Sequence, residues 1–378
     1  MARIITISKF PPLEGGIAAR TYWLAKALGE RGHNIHIVTD RIGVDPLYSV
    51  RDYPSDPVLE NVLIHRVPNE GPWTIPSVEQ TAIALLNKGL EVINQYAVDV
   101  IEGSYLVPYG VVAWMLSNIS GLPLVLRHGG SDVGKYISAG VWSSLWKQIF
   151  SAAKLVISDC ENVSTIREFS KDVAILPPYM PDPKCFTVVD RKKNNKPVVA
   201  LIGKSNYHWQ YKGWDRAIEI LAGLNNDFDC WIVSQGRGYQ DFYNHVENKI
   251  SNSISIKWYK FVAPWQMPDI LRKVDALFCL EEGFPFTMFS NIAVEALCCG
   301  TRLITDCPDI VRYYTRYGLN LMNSQNSILF LSTSNSSESA AIVKKFILKG
   351  IKAPKQSISD ADYLSYIEKN EKAIMSSY

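Results

Sequence analysis

The chain has 378 residues, 47% hydrophobic and 20% charged, a composition that suits a globular protein of about two domains and excludes a disordered or fibrous one. Its 39 basic and 37 acidic residues leave a net charge of +2, which gives no support for nucleic-acid binding. The seven cysteines form no zinc-binding pattern, no apolar run is long enough to span a membrane, and no signal peptide precedes the first strand, so we predict a cytoplasmic protein.

The predicted elements begin with a βαβ unit. A strand at residues 3–8 is followed by a helix at 17–31, ended by Gly32, and by a second strand at 34–39. This order implies a parallel sheet. Residues 50–76 are predicted as irregular strands and loops. The remaining elements predicted in the first half are strands at 98–102, 123–127, 155–158 and 174–176 and a helix at 110–119.

A polar, charged stretch at residues 191–197 is interpreted as an interdomain linker, with an exposed hairpin loop as the alternative. After this stretch the alternation of strands and helices begins again. The second half is predicted to hold strands at 198–202, 230–234, 255–259, 276–279 and 303–305 and helices at 214–224, 242–251, 290–299 and 360–376.

We therefore predict an α/β protein with two Rossmann-like, doubly wound domains that face a central cleft. The N-terminal domain is predicted at residues 1–190, the C-terminal domain at 191–355, and a C-terminal helix at 356–378. Ligands of such folds bind beyond the carboxyl ends of the strands, which here predicts binding in the cleft.

Two lysines follow the first strand of the second domain. Lys204 lies in Gly203-Lys204-Ser205, and Lys212 lies at the head of a helix. Two cations near one strand end could hold a diphosphate. The alternative interpretation is a pair of ordinary solvated lysines.

A predicted helix begins near Ser290, and Asn291 and Ile292 form its first turn. Amide groups at a helix N-terminus bind anions. Glu295 lies one turn further, where a carboxylate could accept hydrogen bonds from ribose hydroxyls. The alternative for Glu295 is a surface glutamate.

Six segments in this order resemble glycosyltransferase family 4, the retaining GT-B enzymes, and the resemblance covers nearly the whole chain. The segments are residues 10–17, 24–33, 127–132 (Arg-His-Gly-Gly-Ser-Asp) and 176–182, the pair Gly203-Lys204 with Lys212-Gly213, and residues 295–301. The resemblance implies that the first domain binds the acceptor and that the C-terminal helix crosses back to it.

The resemblance also implies residue roles. Gly15 and Gly16 would let the backbone come close to the donor, and His128 would contact the transferred sugar. Lys204 and Lys212 would neutralise the diphosphate. Glu295 would bind the ribose, and Glu282 would contact sugar hydroxyls. Amides near Ser290, Asn291 and Ile292 would add to the phosphate site.

The chain departs from the family at two places. The basic pair begins with lysine where the family usually has arginine, so it supplies charge without a bidentate fork. Glu282 stands thirteen positions before Glu295, whereas the family motif places its first glutamate eight before, where this chain has Thr287. Glu281 or Thr287 could take the place of Glu282.

The resemblance predicts a retaining hexosyltransferase of glycan biosynthesis that uses a UDP- or GDP-sugar. The acceptor is predicted as a glycan, a lipid-linked glycan or a small molecule. No cofactor and no metal are expected, because Asp227-Phe228-Asp229 and Asp360-Ala361-Asp362 are interpreted as surface acids. Two alternatives are a nucleotide-sugar epimerase and a non-catalytic nucleotide-sugar-binding protein.

A helical-spaced apolar stripe comprises Trp142, Leu145, Trp146, Ile149 and Phe150. It is interpreted as a core-facing stripe. The alternative is an interfacial helix in peripheral contact with the inner membrane face, where a lipid-linked acceptor would be found.

Overall fold

A computed structural model describes residues 1–68, 79–190, 194–206, 208–280, 290–307, 316–317, 327–332, 335–349 and 358–378. The chain divides into two compact units. The first comprises Met1–Met180 and Leu364–Tyr378, and the second comprises Pro181–Pro285 and Ser290–Tyr363.

The first unit is built on a parallel sheet of seven described strands in the order β3-β2-β1-β4-β5-β6-β7. The strands are β1 Arg3–Ile7, β2 Asn34–Thr39, β3 Val62–Arg66, β4 Val100–Ser104, β5 Leu124–Arg127, β6 Leu155–Ser158 and β7 Val173–Ile175. The helices are α1 Gly16–Glu30, α2 Glu79–Gln95, α3 Val111–Ser120, α4 Ser143–Ala152 and α5 Val163–Arg167. The predicted strands of this half are confirmed, because buried parallel strands are short apolar runs that stand out in a sequence.

Helix α2 was not predicted, and its packing requires a residue of low helix propensity. Gly89 lies in its middle, and a Cβ there would be 2.5 Å from Leu116 Cδ1 of α3. The close approach of α2 and α3 therefore requires a residue that weakens the helical signal of the sequence.

The apolar stripe of α4 faces the core for most of its length. Trp146, Ile149 and Phe150 are fully buried in the hydrophobic core of the first unit. Trp142, the residue before α4, is instead 55% exposed. The core-facing interpretation therefore describes the helix but not this residue.

A histidine pair joins β2 to β3. His36 Nδ1 and His65 Nε2 lie 3.0 Å apart, and the Tyr96 ring lies 4.5 Å from the His36 ring. Burial lowers the pKa of His36, and burial together with His36 and Lys88 lowers the pKa of His65 to about 4.

We expect this pair to make the first unit less stable in acid. Since both pKa values are depressed in the folded state, the unfolded chain binds more protons below about pH 6.5, and stability falls as the pH falls towards 4. Because the His65 ring is only partly buried, we expect a loss of about 1 kcal/mol between pH 7 and pH 5. Urea unfolding of the wild type and of His65→Phe at pH 7 and pH 5 measures this loss of stability. An equal loss in the variant would contradict the assignment to His65.

The second unit is built on a parallel sheet of six described strands in the order β10-β9-β8-β11-β12-β13. The strands are β8 Val198–Ile202, β9 Asp229–Val233, β10 Ser255–Tyr259, β11 Ala276–Cys279, β12 Arg302–Thr305 and β13 Ile328–Phe330. The helices are α6 Trp214–Ala222, α7 Tyr239–Ile250, α8 Met267–Leu271, α9 Asn291–Cys298 and α10 Ser336–Leu348. The predicted strands and the helices at 214–224, 242–251 and 290–299 are confirmed, whereas α8 and α10 were not predicted.

The C-terminal helix α11, Asp360–Met375, contributes its later residues to the first unit. Glu371 accepts a hydrogen bond from Arg31 Nε at 2.8 Å and lies 3.0 Å from His33 Nε2. The Ala2 amide donates to His33 Nδ1, so Nε2 carries the proton and donates to Glu371. These bonds tie the helix to the turn between α1 and β2.

In the part of the chain that the structure describes, every helix is too short or too polar to cross a bilayer.

Candidate functional site

The residues predicted to hold the diphosphate lie where the winding of the second sheet reverses. β8 lies between β9, which follows it in the chain, and β11, from which the remaining strands continue in the other direction. Ligands of open parallel sheets bind beyond the carboxyl ends of the strands at such a reversal. Lys204 follows β8 by two residues, and α9, which begins at Asn291, is the next described helix after β11.

Lys204 and Lys212 are brought together at the end of β8. Lys212 closes a short 3-10 helix, Trp209–Lys212, and its side chain folds back over the strand end. The position that a Cβ would take on Gly203 is only 3.5 Å from Lys212 Nζ. Both lysines are partly buried, so the structure places two ammonium-bearing side chains at one strand end.

The turn that carries Lys212 rests against the end of β11. Gly213 has φ 62°, and a Cβ there would be 2.5 Å from both the Cβ and the carbonyl oxygen of Leu280. A larger residue would therefore push the Lys212 turn away from the sheet. Cys279 Sγ lies 3.5 Å from Ser290 Oγ, which joins the start of α9 to the same strand end.

Helix α9 presents its N-terminus to this edge. Ser290 is the N-cap residue, and Asn291 and Ile292 open the first turn, whose amide groups have no acceptor within a helix. Glu295 is only 5% exposed, which excludes the surface-glutamate alternative. Its role in ribose binding stays a prediction. Glu282 and its two substitutes, Glu281 and Thr287, lie outside the described residues.

A glycine-containing loop after β9 supports the loop after β8, and the sequence analysis missed it. Gly236 has φ 141°, and a Cβ there would be 2.8 Å from the Ser205 carbonyl oxygen. The Gly238 amide donates to the same oxygen at 2.8 Å, and the Ser205 amide donates to the Gln235 carbonyl at 3.1 Å. The signal that could have found this loop is Gly-x-Gly between a strand and a helix.

In the first unit, His128 follows β5 and is engaged on both ring nitrogens. Its Nδ1 accepts from the Gly130 amide at 3.1 Å, so Nδ1 carries no proton. Nε2 therefore donates to Ser158 Oγ at 2.8 Å, and that hydroxyl donates to the Asp159 carbonyl at 3.2 Å. His128 is thus a neutral imidazole in a directed chain of hydrogen bonds.

Asp132 holds the backbone of the same loop, although the sequence analysis gave it no role. Its Oδ1 accepts from the amides of Gly129 at 2.8 Å and Val133 at 3.2 Å. Its Oδ2 accepts from the Leu106 amide at 2.8 Å. The carboxylate is fully buried, so it fixes the loops after β4 and β5 relative to each other.

The Gly15-Gly16 segment lies beside this histidine loop. Gly15 is the N-cap residue of α1 with φ 113°. A Cβ on Gly129 would be 2.8 Å from Ile17 Cδ1, and Arg20 Nη1 lies 3.5 Å from the Gly129 carbonyl. The structure therefore brings the two glycine-rich segments together at the carboxyl edge of the first sheet, near the reversal between β1 and β4.

The acids of the two Asp-x-Asp sequences are not grouped for metal binding. Asp227 Oδ2 pairs with Lys344 Nζ at 2.6 Å on the surface. Among the described ranges, no cluster of three or more His, Cys, Asp or Glu side chains could hold a metal ion.

Residues 15–164 match the protein family described as Glycosyl transferase 4-like domain. This match confirms the resemblance to glycosyltransferases and the predicted class of enzyme. No curated protein sequence matches the chain.

Solved structures of many proteins are similar to this chain, and three of these proteins match over essentially their whole length. The sucrose-phosphate synthase of Thermosynechococcus elongatus is 15% identical, with a TM-score of 0.68 and coverage of 100% of this chain and 95% of that one. HepE of Anabaena in complex with UDP is 16% identical, with a TM-score of 0.62 and coverage of 99% of each chain; HepE also matches in its complex with UDP-glucose. A putative UDP-N-acetylglucosamine 2-epimerase of Listeria monocytogenes is 11% identical, with a TM-score of 0.60 and coverage of 100% and 97%. The chain therefore has the GT-B fold, as predicted.

Proposed function

We propose that this chain, which carries a glycosyl transferase 4-like domain on a GT-B fold, transfers a hexosyl-type sugar from a nucleotide-diphosphate sugar to an acceptor hydroxyl. One observation carries the proposal. Lys204, Lys212 and the start of α9, which are far apart in the sequence, converge at the β8–β11 reversal of the second sheet.

This edge suits a nucleotide diphosphate. The two lysines supply positive charge, and the first turn of α9 supplies amide donors. Glu295, buried one turn further along α9, would accept hydrogen bonds from the ribose. Since HepE has been solved with UDP and with UDP-glucose, a uridine diphosphate sugar is the first donor to test.

The proposed reaction retains the anomeric configuration and uses no metal. The bond between the anomeric carbon and the phosphate oxygen breaks, and its electron pair leaves with the diphosphate. The acceptor oxygen forms the new bond on the same face of the sugar, and its proton passes to the departing phosphate oxygen. Lys204 and Lys212 stabilise the negative charge that develops on the diphosphate.

The acceptor side of the proposal rests on the first unit, where His128 and the Gly15-Gly16 segment lie together. Because both nitrogens of His128 are engaged with protein groups, we propose that it orients the loop and contacts the sugar through its ring edge. The acceptor is a glycan, a lipid-linked glycan or a small molecule. The cytoplasmic location and contact with the inner membrane face stay predictions.

Purified protein incubated with UDP-, GDP-, ADP- and dTDP-sugars tests the proposal. We expect one nucleotide family to raise the melting temperature and to be released slowly as its diphosphate through donor hydrolysis. A protein that no nucleotide sugar stabilises would contradict the proposed function.

Glu295→Gln is expected to weaken binding of the stabilising nucleotide about tenfold or more, because a hydrogen bond to a charged group contributes about 1.5–3 kcal/mol. The amide has the same shape as the carboxylate, so the fold should persist. Isothermal titration calorimetry measures the effect, with Glu338→Gln on the exposed side of α10 as the control. Equal affinities of Glu295→Gln and wild type would remove the ribose assignment.

The epimerase alternative stays open, because the fold is shared with a putative UDP-N-acetylglucosamine 2-epimerase. An epimerase converts its nucleotide sugar without an acceptor, whereas a transferase releases the diphosphate. Proton NMR of the incubated donor separates the two. A donor that binds and stays unchanged would indicate the non-catalytic alternative.

A further inference from the structure

Two aromatic residues of the first unit have a backbone conformation that aromatic residues rarely adopt. Among the described residues other than glycine, positive φ occurs at Asp52, Asn61, Tyr105 and Trp142. Asp and Asn tolerate this region. Tyr105 at φ 75° and Trp142 at φ 56° do not, and such strain concentrates at functional sites.

The Trp142 indole is both stacked on another ring and exposed to solvent. It stacks on the Tyr136 ring with centroids 5.6 Å apart and planes 12° apart, yet the residue is 55% exposed. The loop beneath it is fixed, because Trp146 Nε1 donates to the Val141 carbonyl at 2.9 Å and the Leu145 amide donates to the Trp142 carbonyl at 2.9 Å.

Tyr105 and Tyr136 connect this platform to the histidine loop. Burial raises the pKa of both tyrosines, and the nearby Asp132 carboxylate raises it further. The Leu106 amide, next to Tyr105 in the chain, donates to Asp132 Oδ2 at 2.8 Å, and Tyr136 lies one helical turn after Asp132. At the inner end, Tyr105 Cδ2 is 2.7 Å from where a Cβ on Gly129 would be. Trp142, Tyr136 and Tyr105, here called the aromatic row, thus lead from the surface to the residue after His128.

We propose that the aromatic row is an acceptor subsite for an oligosaccharide, with one pyranose ring stacked on the exposed face of Trp142. The inference rests on the proposed glycosyltransferase function and names its acceptor class. A pyranose has flat C–H faces and a polar rim, which match an uncharged ring whose edges meet water. Two tyrosine rings separate Trp142 from Gly129, so a ligand that reaches both is longer than one sugar.

The surroundings favour a saccharide over a membrane. A tryptophan that anchors a protein in lipid projects from the surface, whereas this indole lies flat on Tyr136. Gly140, Ser143 and Ser144 next to it are exposed and small. They leave the ring accessible, and the apolar neighbour of Trp142 in this loop is Val141, which is 37% exposed.

The test uses the whole chain without nucleotide and, as probes, maltohexaose, cellohexaose and chitohexaose, with glucose and N-acetylglucosamine as single-ring comparisons. We expect at least one hexasaccharide to bind more tightly than its monosaccharide in calorimetry. Trp142→Gly should lower that affinity about tenfold or more, which corresponds to about 1.4 kcal/mol, whereas Trp142→Phe retains most of it. The exposed Val58→Ala serves as the control.

Trp142→Gly should also keep or raise the melting temperature, because glycine adopts positive φ without strain. Loss of binding without loss of stability is the signature of a binding residue. The inference is overturned if no hexasaccharide binds, if Trp142→Gly binds like wild type, or if Trp142 is required for flotation with phosphatidylcholine–phosphatidylglycerol vesicles. A wild type that no nucleotide sugar stabilises would instead count against the proposed function.

Discussion

Replacing Lys212 with alanine is expected to weaken binding of UDP, or of whichever nucleoside diphosphate stabilises the protein, about 10- to 100-fold. A hydrogen bond from an ammonium to a phosphate contributes about 1.5–3 kcal/mol, and each 1.4 kcal/mol changes affinity tenfold. The side chain lies over the end of β8. Calorimetric titration of the diphosphate measures the change.

A matched control is Lys260→Ala. Lys260 follows β10 and is exposed at the same edge of the second sheet, but two strands, or about 10 Å, away from β8. We expect the Lys260→Ala variant to bind the nucleoside diphosphate with the same affinity as wild type. The double variant Lys204→Ala/Lys212→Ala should lose less than the sum of the single losses, because both cations share one diphosphate. Equal effects of Lys212→Ala and Lys260→Ala would refute the phosphate site.

Arg127→Met is expected to destabilise the first unit by about 3–5 kcal/mol, because it leaves a buried carboxylate without its counter-charge. Arg127 Nε donates to Glu102 Oε1 at 2.8 Å, and both side chains are less than a tenth exposed. Thr6 Oγ1 donates to the other oxygen, Glu102 Oε2, at 3.2 Å, but a neutral hydroxyl cannot replace the guanidinium. Hydrogen exchange of the β5 amides measures the local loss.

The double variant Glu102→Leu/Arg127→Met separates the lost charge pairing from lost packing. Since apolar pairs of similar volume often replace a buried ion pair without cost, we expect it to regain most of the stability. Arg127 Nη2 finds no partner among the described protein atoms and borders a cavity of about 20 Å³, room for one water. A double variant as unstable as Arg127→Met would show that packing, not charge, dominates.

The sequence by itself determined the class of fold and the class of enzyme. The strands that carry the sites are short apolar runs that are followed by Lys204 or His128, because a strand of a covered parallel sheet is buried on both faces. The family resemblance pointed to the glycosyltransferase class, which the match over residues 15–164 confirms. The sequence placed Glu295 near the start of a helix, but it did not reveal that this side chain is buried.

Only the tertiary structure decided which of these residues meet. Lys212 approaches Gly203, Gly213 approaches Leu280, and Asp132 holds the Leu106 amide, because the order of strands in each sheet brings distant loops to one edge. Periodicity encodes the face of a strand or helix but not its neighbours. The same reason explains Gly89, which only the packing of α2 on α3 requires. It also explains the aromatic row, whose residues come from the connection after β4 and the connection after β5.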